Sequence, residues 1–205
     1  MLSRRGKFIT LEGMDGAGKS THIPTIIQLL EARGIELVST REPGGTVLGE
    51  KLTDLLLHEE MDAETETLLM FAARREHIAQ VIEPALERGA YVLSDRFTDA
   101  TYAYQCGAKG VALNKVQQLE TWVQGDLQPD LTLLFDVPVA VSMQRLSTAR
   151  TPDKFERESH DFFEKLRTVY LDRAKADPVR FRVIDANQSL AQVKALVEEI
   201  VTTIS

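Results

Sequence analysis

The chain has 205 residues, 43% hydrophobic and 27% charged, with 24 Lys and Arg against 31 Asp and Glu for a net charge of -7. Such a length suits one compact domain, expected here to span 1–205, and the acidic balance gives no field favouring nucleic acid or an anionic membrane surface. No apolar run approaches the length of a membrane span, and Cys106 is the one cysteine, which excludes an internal disulfide and suits a reducing compartment.

The opening "MLSRRGKF" runs into a short alternating segment rather than a leader's apolar stretch, so no signal peptide is expected. "KFITLEG" (7–13) reads as a first strand, and Ile23, Ile26, Ile27 and Leu30 then recur at helical spacing. "LEARGIEL" ends that helix at Gly34 and leads into a second strand, "IELVST" (35–40). Leu68, Phe71, Ala72, Ile78 and Ile82 mark another helix, which "ALERGAYV" closes at Gly89 before a third strand, "YVLSD" (91–95). "LTLLFDV" (131–137) and "RFRVIDA" (180–186) are the fourth and fifth strands, and Ala191, Val193, Ala195, Leu196 and Ile200 mark a last helix. Between the last two strands, "STARTPDKFERESH" (147–160) breaks the periodicity at Pro152 and carries Arg150, Lys154 and Arg157, which predicts a basic loop. Strands alternating with helices argue an α/β fold with a parallel sheet covered on both faces.

"GMDGAGKS" (13–20) fits GxxxxGK[ST] and sits after a strand and before an amphipathic helix, the context the motif requires. Gly13, Gly16 and Gly18 can turn successive N–H groups inward, and the helix start at Lys19 adds its positive dipole end. Lys19 supplies a point charge to the outer phosphates of ATP, and Ser20 a hydroxyl for Mg2+. Gly13, Met14, Asp15, Gly16, Ala17, Gly18, Lys19, Ser20 and Thr21 are therefore the candidate ATP contacts. A guanine-reading NKxD is missing: the nearest string, "NKVQ" (114–117), lacks the final carboxylate.

"SDRFTDATYAYQ" (94–105) begins at the end of the third strand, where open α/β sheets bind ligands. Asp95 suits a magnesium site through water, and the planar fork of Arg96 suits a second phosphate. His22, His58, His77 and His160 show no metal-ligand spacing with one another or with Cys106, and read as structural or solvated.

"TREPGGT" (40–46), "FAARREH" (71–77), "SDRFTDATYAYQ" (94–105) and "QGDLQPDLTLLFDV" (124–137), in that order and over nearly the whole chain, resemble bacterial thymidylate kinase. The resemblance implies a P-loop fold with a five-stranded parallel sheet and a lid at about 147–160, and a Mg2+-dependent transfer from ATP to dTMP in dTTP biosynthesis. It also implies a cytoplasmic homodimer. In that pattern Asp15 faces the acceptor and bonds the 3′-hydroxyl of dTMP, which suits a carboxylate that phosphates would repel. Glu42 and Pro43 belong to the acceptor side with Arg96, and Arg145 to the adenine. With Gly16 following Asp15, the basic charge at the transferring phosphoryl group is expected from the lid, from Arg150 with Lys154 or Arg157. Asp15, Lys19, Arg96 and Arg150 are the catalytic candidates.

For the base, the resemblance supplies an aromatic ring and an arginine one helical turn later. Met70 with Arg74 and Phe71 with Arg75 both qualify by spacing. Counting back from "REH" favours Arg74 and puts Met70 at the usual aromatic position, with Phe71 one place beyond. Thr101 and Gln105 resemble the residues that read the thymine edge. Thr53 stands where the family usually carries an arginine, and Lys109 and Lys154 replace arginines, keeping charge without the bidentate fork.

Overall fold

The computed structural model describes residues 5–147 and 154–204. Its five strands are β1 (Phe8–Glu12), β2 (Leu37–Arg41), β3 (Tyr91–Asp95), β4 (Leu131–Asp136) and β5 (Phe181–Asp185), each within two residues of the expected run. They form one all-parallel sheet in the order β2-β3-β1-β4-β5. β1 is buried along its whole length, the polar Thr10 and Glu12 included.

Alternation along β1 divides the core. Phe8 joins Phe71, Ile78, Ile82 and Phe97 on one side, whereas Ile9 and Leu11 join Ile26, Leu30, Phe163 and Val197 on the other. Helices therefore cover both faces: α1 (Lys19–Glu31), α2 (Val47–His58), α3 (Ala63–His77), α4 (Glu83–Glu87), α5 (Thr98–Thr101), α6 (Leu113–Gln124), α7 (Val139–Ser147), α8 (His160–Ala176) and α9 (Leu190–Thr202). Gly34 and Gly89 follow α1 and α4 at φ 74° and 89°, the left-handed stops expected of them. Among the described residues no helix is long and apolar enough to cross a membrane.

Two stretches wind more loosely than periodicity predicts. Ile78–Ile82 is a π-helical turn joining α3 to α4, and α5 continues as a π-helix through Tyr102–Ala108. Within the basic loop, residues 154–158 form turns, and Ser159 caps α8 by accepting from the Phe162 N–H at 3.2 Å. Arg150 lies outside the described residues.

Register decides what meets at the carboxyl edge of the sheet. Asp95 pairs with Leu11 of β1 on one side and with Arg41 of β2 on the other. The segments leaving these strands, 13–20, 42–46 and 96–101, therefore emerge side by side.

Candidate functional site

The glycine-rich loop is shaped by close packing. Gly13 sits at φ 132°, and a Cβ there would collide with the Phe135 carbonyl. Gly16 sits at φ 75° with the Ser142 carbonyl 2.7 Å from where its Cβ would be. Gly18, at φ 98°, is the residue before the first turn of α1, and the Ser142 hydroxyl pins the loop by donating to the Asp15 carbonyl at 2.5 Å. Lys19 is buried, and its Nζ donates to the carbonyls of Gly13 at 2.9 Å and Met14 at 3.0 Å. Burial first, and the charge of Arg96 second, lower its pKa. Met14 and Ala17 are buried, Ser20 and Thr21 exposed. Arg145, from α7, donates to the Gly16 carbonyl at 3.3 Å and the Ala186 carbonyl at 3.1 Å, so it lies against this loop.

A cavity beside the loop is lined by Asp15, Glu42, Pro43, Met70, Arg74, Arg96, Thr101 and Gln105, joined by Leu57, Phe97, Ala100, Tyr104 and Phe155. Every acceptor-side candidate of the sequence except Phe71 is in that lining. Phe71 is buried in the core under the guanidinium of Arg74, 4.8 Å from ring centre to Cζ, so it supports the arginine from below. Arg75 points elsewhere, donating to the Val123 carbonyl at 2.8 Å. The Met70–Arg74 register is the one that reaches the cavity.

Arg74 is only 2% exposed and uses three of its five N–H groups: Nε donates to Glu42 Oε2 at 2.8 Å, and Nη2 to Thr101 Oγ1 at 3.0 Å and the Phe97 carbonyl at 3.2 Å. Glu42 is held in turn by His77 Nδ1 at 3.0 Å, whose Nε2 meets Thr40 Oγ1 at 2.7 Å. His77 is thus structural, one of the two readings, structural or solvated, that the sequence left open. Arg74 Nη1 has no partner, and with Asp95 Oδ1 it is one of two such buried side-chain atoms among the described residues.

At the opposite wall, Asp15 Oδ1 accepts from Arg96 Nη2 at 2.6 Å and Oδ2 from the Tyr104 hydroxyl at 2.8 Å. Arg96 also donates to the hydroxyls of Tyr104 at 2.9 Å and Tyr170 at 3.1 Å. Burial would raise the Asp15 carboxyl, but Arg96 and then Lys19 outweigh it and hold the pKa at about 2.

Several residues here escaped the sequence reading. Glu12, Tyr104, Tyr170, Glu66 and Phe155 were not singled out, although Tyr104 lies inside a quoted motif. Thr101, Tyr104 and Gln105 stand at positions i, i+3 and i+4, which share one helical face, and all three line the cavity. Lys154 is engaged by Glu66 Oε2 at 3.1 Å and the Glu59 carbonyl at 3.0 Å, on the cavity side, rather than by the glycine-rich loop. Thr53 turns back on its own helix, donating to the Gly49 carbonyl at 2.8 Å.

A parallel sheet with a GxxxxGKS loop between its central strand and the first helix defines a P-loop NTPase fold. The family model described as thymidylate kinase matches residues 11–197. The chain belongs to the thymidylate kinase family. It is 69% identical over 196 residues to the thymidylate kinase of Methylobacillus flagellatus, covering 96% of this chain and 97% of that one. To that of Cupriavidus metallidurans it is 63% identical over 200 residues, covering 98% and 100%. The crystal structure of thymidylate kinase from Ehrlichia chaffeensis superposes with a TM-score of 0.77 at 33% identity, covering 96% of this chain and 98% of that one.

Proposed function

We propose that the cavity beside the glycine-rich loop takes dTMP and that the loop takes ATP, for the ATP-dependent phosphorylation of dTMP to dTDP that family membership gives this protein. The observation that carries the assignment is Arg74 Nη1, a buried donor without a partner in a cavity it shares with Asp15, Arg96 and Gln105. A donor so placed suits the O4 acceptor of thymine.

The remaining roles follow from position. Gly13 to Thr21 wrap the ATP phosphates, Lys19 meets the outer ones, and Arg145 lies over the adenine side. Arg96 grips the acceptor phosphate while its bond to Asp15 leaves that carboxylate facing the sugar 3′-hydroxyl. Met70 covers one face of the base, and Thr101 and Gln105 read its edge. Glu42 and Pro43 close the acceptor side. Arg150, outside the described residues, keeps only from the family resemblance the role of adding positive charge at the transferring group.

Among the described residues no cluster of three or more His, Cys, Asp and Glu could hold a metal alone. This suits Mg2+ carried largely by phosphates and water, and the unpartnered Asp95 Oδ1 and exposed Ser20 fit as its few protein contacts. Bound there, the ion would neutralise charge on the phosphoryl oxygens.

We place the enzyme in the cytoplasm, at the dTTP-synthesis step, as a homodimer. Exposed Leu48, Leu55, Leu68 and Trp122 on α2, α3 and α6 support the dimer, which sedimentation equilibrium tests.

The test of function is ADP formation from ATP and Mg2+ with dTMP, dUMP, dGMP, dCMP and dAMP offered separately. Stimulation by dTMP above the others is expected. Equal stimulation by a purine monophosphate would remove the assignment of Arg74 to thymine.

A further inference from the structure

Glu66, on α3, is a carboxylate with no exposed surface, and nothing in the preceding roles uses it. Its Oε2 accepts from two ammonium groups, Lys109 Nζ at 2.8 Å and Lys154 Nζ at 3.1 Å. Its Oε1 accepts from Gln105 Nε2 at 3.0 Å. Two cations matched to one buried carboxylate make it an acceptor only, so an amide packed against it must present its NH2 end. The reverse orientation would set the amide oxygen against a carboxylate oxygen away from water, where the repulsion is large.

We propose that Glu66 is a specificity-setting positioning residue: by holding Gln105 through Nε2 it leaves Gln105 Oε1 as an acceptor on the cavity side. Among the described residues no donor bonds that oxygen, and Gln105 lines the cavity with Arg74. The proposal rests on the reading that this cavity takes the base. A donor from Arg74 and an acceptor from Gln105 match a 4-oxo, N3–H pyrimidine. A 4-amino pyrimidine offers the opposite pair, an amine donor and an N3 lone pair, and meets a mismatch at both. The two lysines, which replace arginines by resemblance, then hold Glu66 in place rather than contacting substrate.

The test compares kcat/KM for dTMP with that for 5-methyl-dCMP, which keeps the methyl group and the sugar and reverses only the base edge. In Glu66→Gln the amide of Gln105 is free to turn, and the preference for dTMP should fall about tenfold, one mismatch of two being relieved. In a Gln105→Ala background the same change should leave the ratio where Gln105→Ala alone puts it. If Gln105→Ala lowers the ratio and Glu66→Gln leaves it at the wild-type value, the role of Glu66 is wrong while the base site stands. If Gln105→Ala leaves the ratio unchanged, the base reading fails and this proposal with it. Should Glu66→Gln not fold, side-chain amide NMR of the wild-type protein with dTMP decides. Nuclear Overhauser contacts from the Gln105 NH2 to Glu66 are expected, and contacts to the thymine imino proton instead would overturn the proposal.

Discussion

Arg96 Nη2 stands 2.6 Å from Asp15 Oδ1, tying the segment after β3 to the phosphate loop after β1. Arg96 is the one non-glycine residue at positive φ among the described residues, at 73°. That backbone costs on the order of 1–3 kcal/mol, and it is held by Arg96 N–H donating to the Leu11 carbonyl at 2.9 Å and by the Ser94 hydroxyl on the Arg96 carbonyl at 2.7 Å. The charge pair is thus formed before any acceptor arrives. Arg96→Ala should raise KM for dTMP roughly 10–100-fold, the loss of one or two charge-assisted hydrogen bonds, with KM for ATP little changed. Steady-state kinetics with each substrate varied checks this, and equal rises in both would reject Arg96 as the acceptor clamp.

Lys19 bonds two carbonyls of its own loop at 2.9 and 3.0 Å, so its ammonium is already aimed across the phosphate cradle. Under the proposed role, its removal takes a positive charge from the outer phosphates without touching the cavity lining. Lys19→Ala should lower kcat by at least about 10²-fold, the order seen when one transition-state donor is lost, while calorimetric dTMP binding stays near the wild-type value. A variant with wild-type turnover would remove the loop from the mechanism.

The strands, the stops at Gly34 and Gly89 and the phosphate loop were legible because each rests on local chemistry: apolar runs, left-handed glycines and a short motif. The cavity wall was legible in part. Met70, Arg74, Thr101 and Gln105 fell out of spacing and resemblance, but the choice between Met70 and Phe71 needed the fold, since both positions are apolar and only packing separates wall from core. Glu12 was invisible for a different reason. Its partners, the Phe97 N–H and the Tyr170 hydroxyl, are 85 and 158 residues away, and no local pattern marks a carboxylate that register alone will bury. The same holds for Glu66, which sits among charged residues at the start of α3 and reads like a solvated helix face.

Three of the five Arg74 N–H groups go to Glu42, Thr101 and the Phe97 carbonyl, and the two on Nη1 are left over. A lysine cannot keep that fork. Arg74→Lys should raise KM for dTMP about tenfold or more and narrow the preference for dTMP over 5-methyl-dCMP, because the donor proposed to meet O4 disappears. Folding should survive, since Glu42 keeps His77 at 3.0 Å. Measured kcat/KM for both monophosphates decides, and an unchanged ratio would move base reading away from Arg74.

Glu12 accepts from the Phe97 N–H at 2.7 Å and from the Tyr170 hydroxyl at 2.9 Å in a site with no exposed surface. Burial first, and the charge of Asp99 second, push its carboxyl from the ordinary 4.5 up to about 8, against the opposing pull of Arg96. Between those two values the folded protein holds a proton that the unfolded chain has released, so the stability due to Glu12 is complete below about 4.5 and is lost as pH rises through about 8. Asp15 has the opposite sign, but its window lies between about 2 and 3.8 and leaves neutral pH untouched. Glu12→Gln carries a neutral side chain at every pH, so its melting temperature relative to wild type should climb as pH rises from about 4.5 to about 8 and level off above that. Thermal melts of the two proteins at matched ionic strength measure that difference directly, and a flat difference across the range would mean that the folded protein does not hold the Glu12 proton.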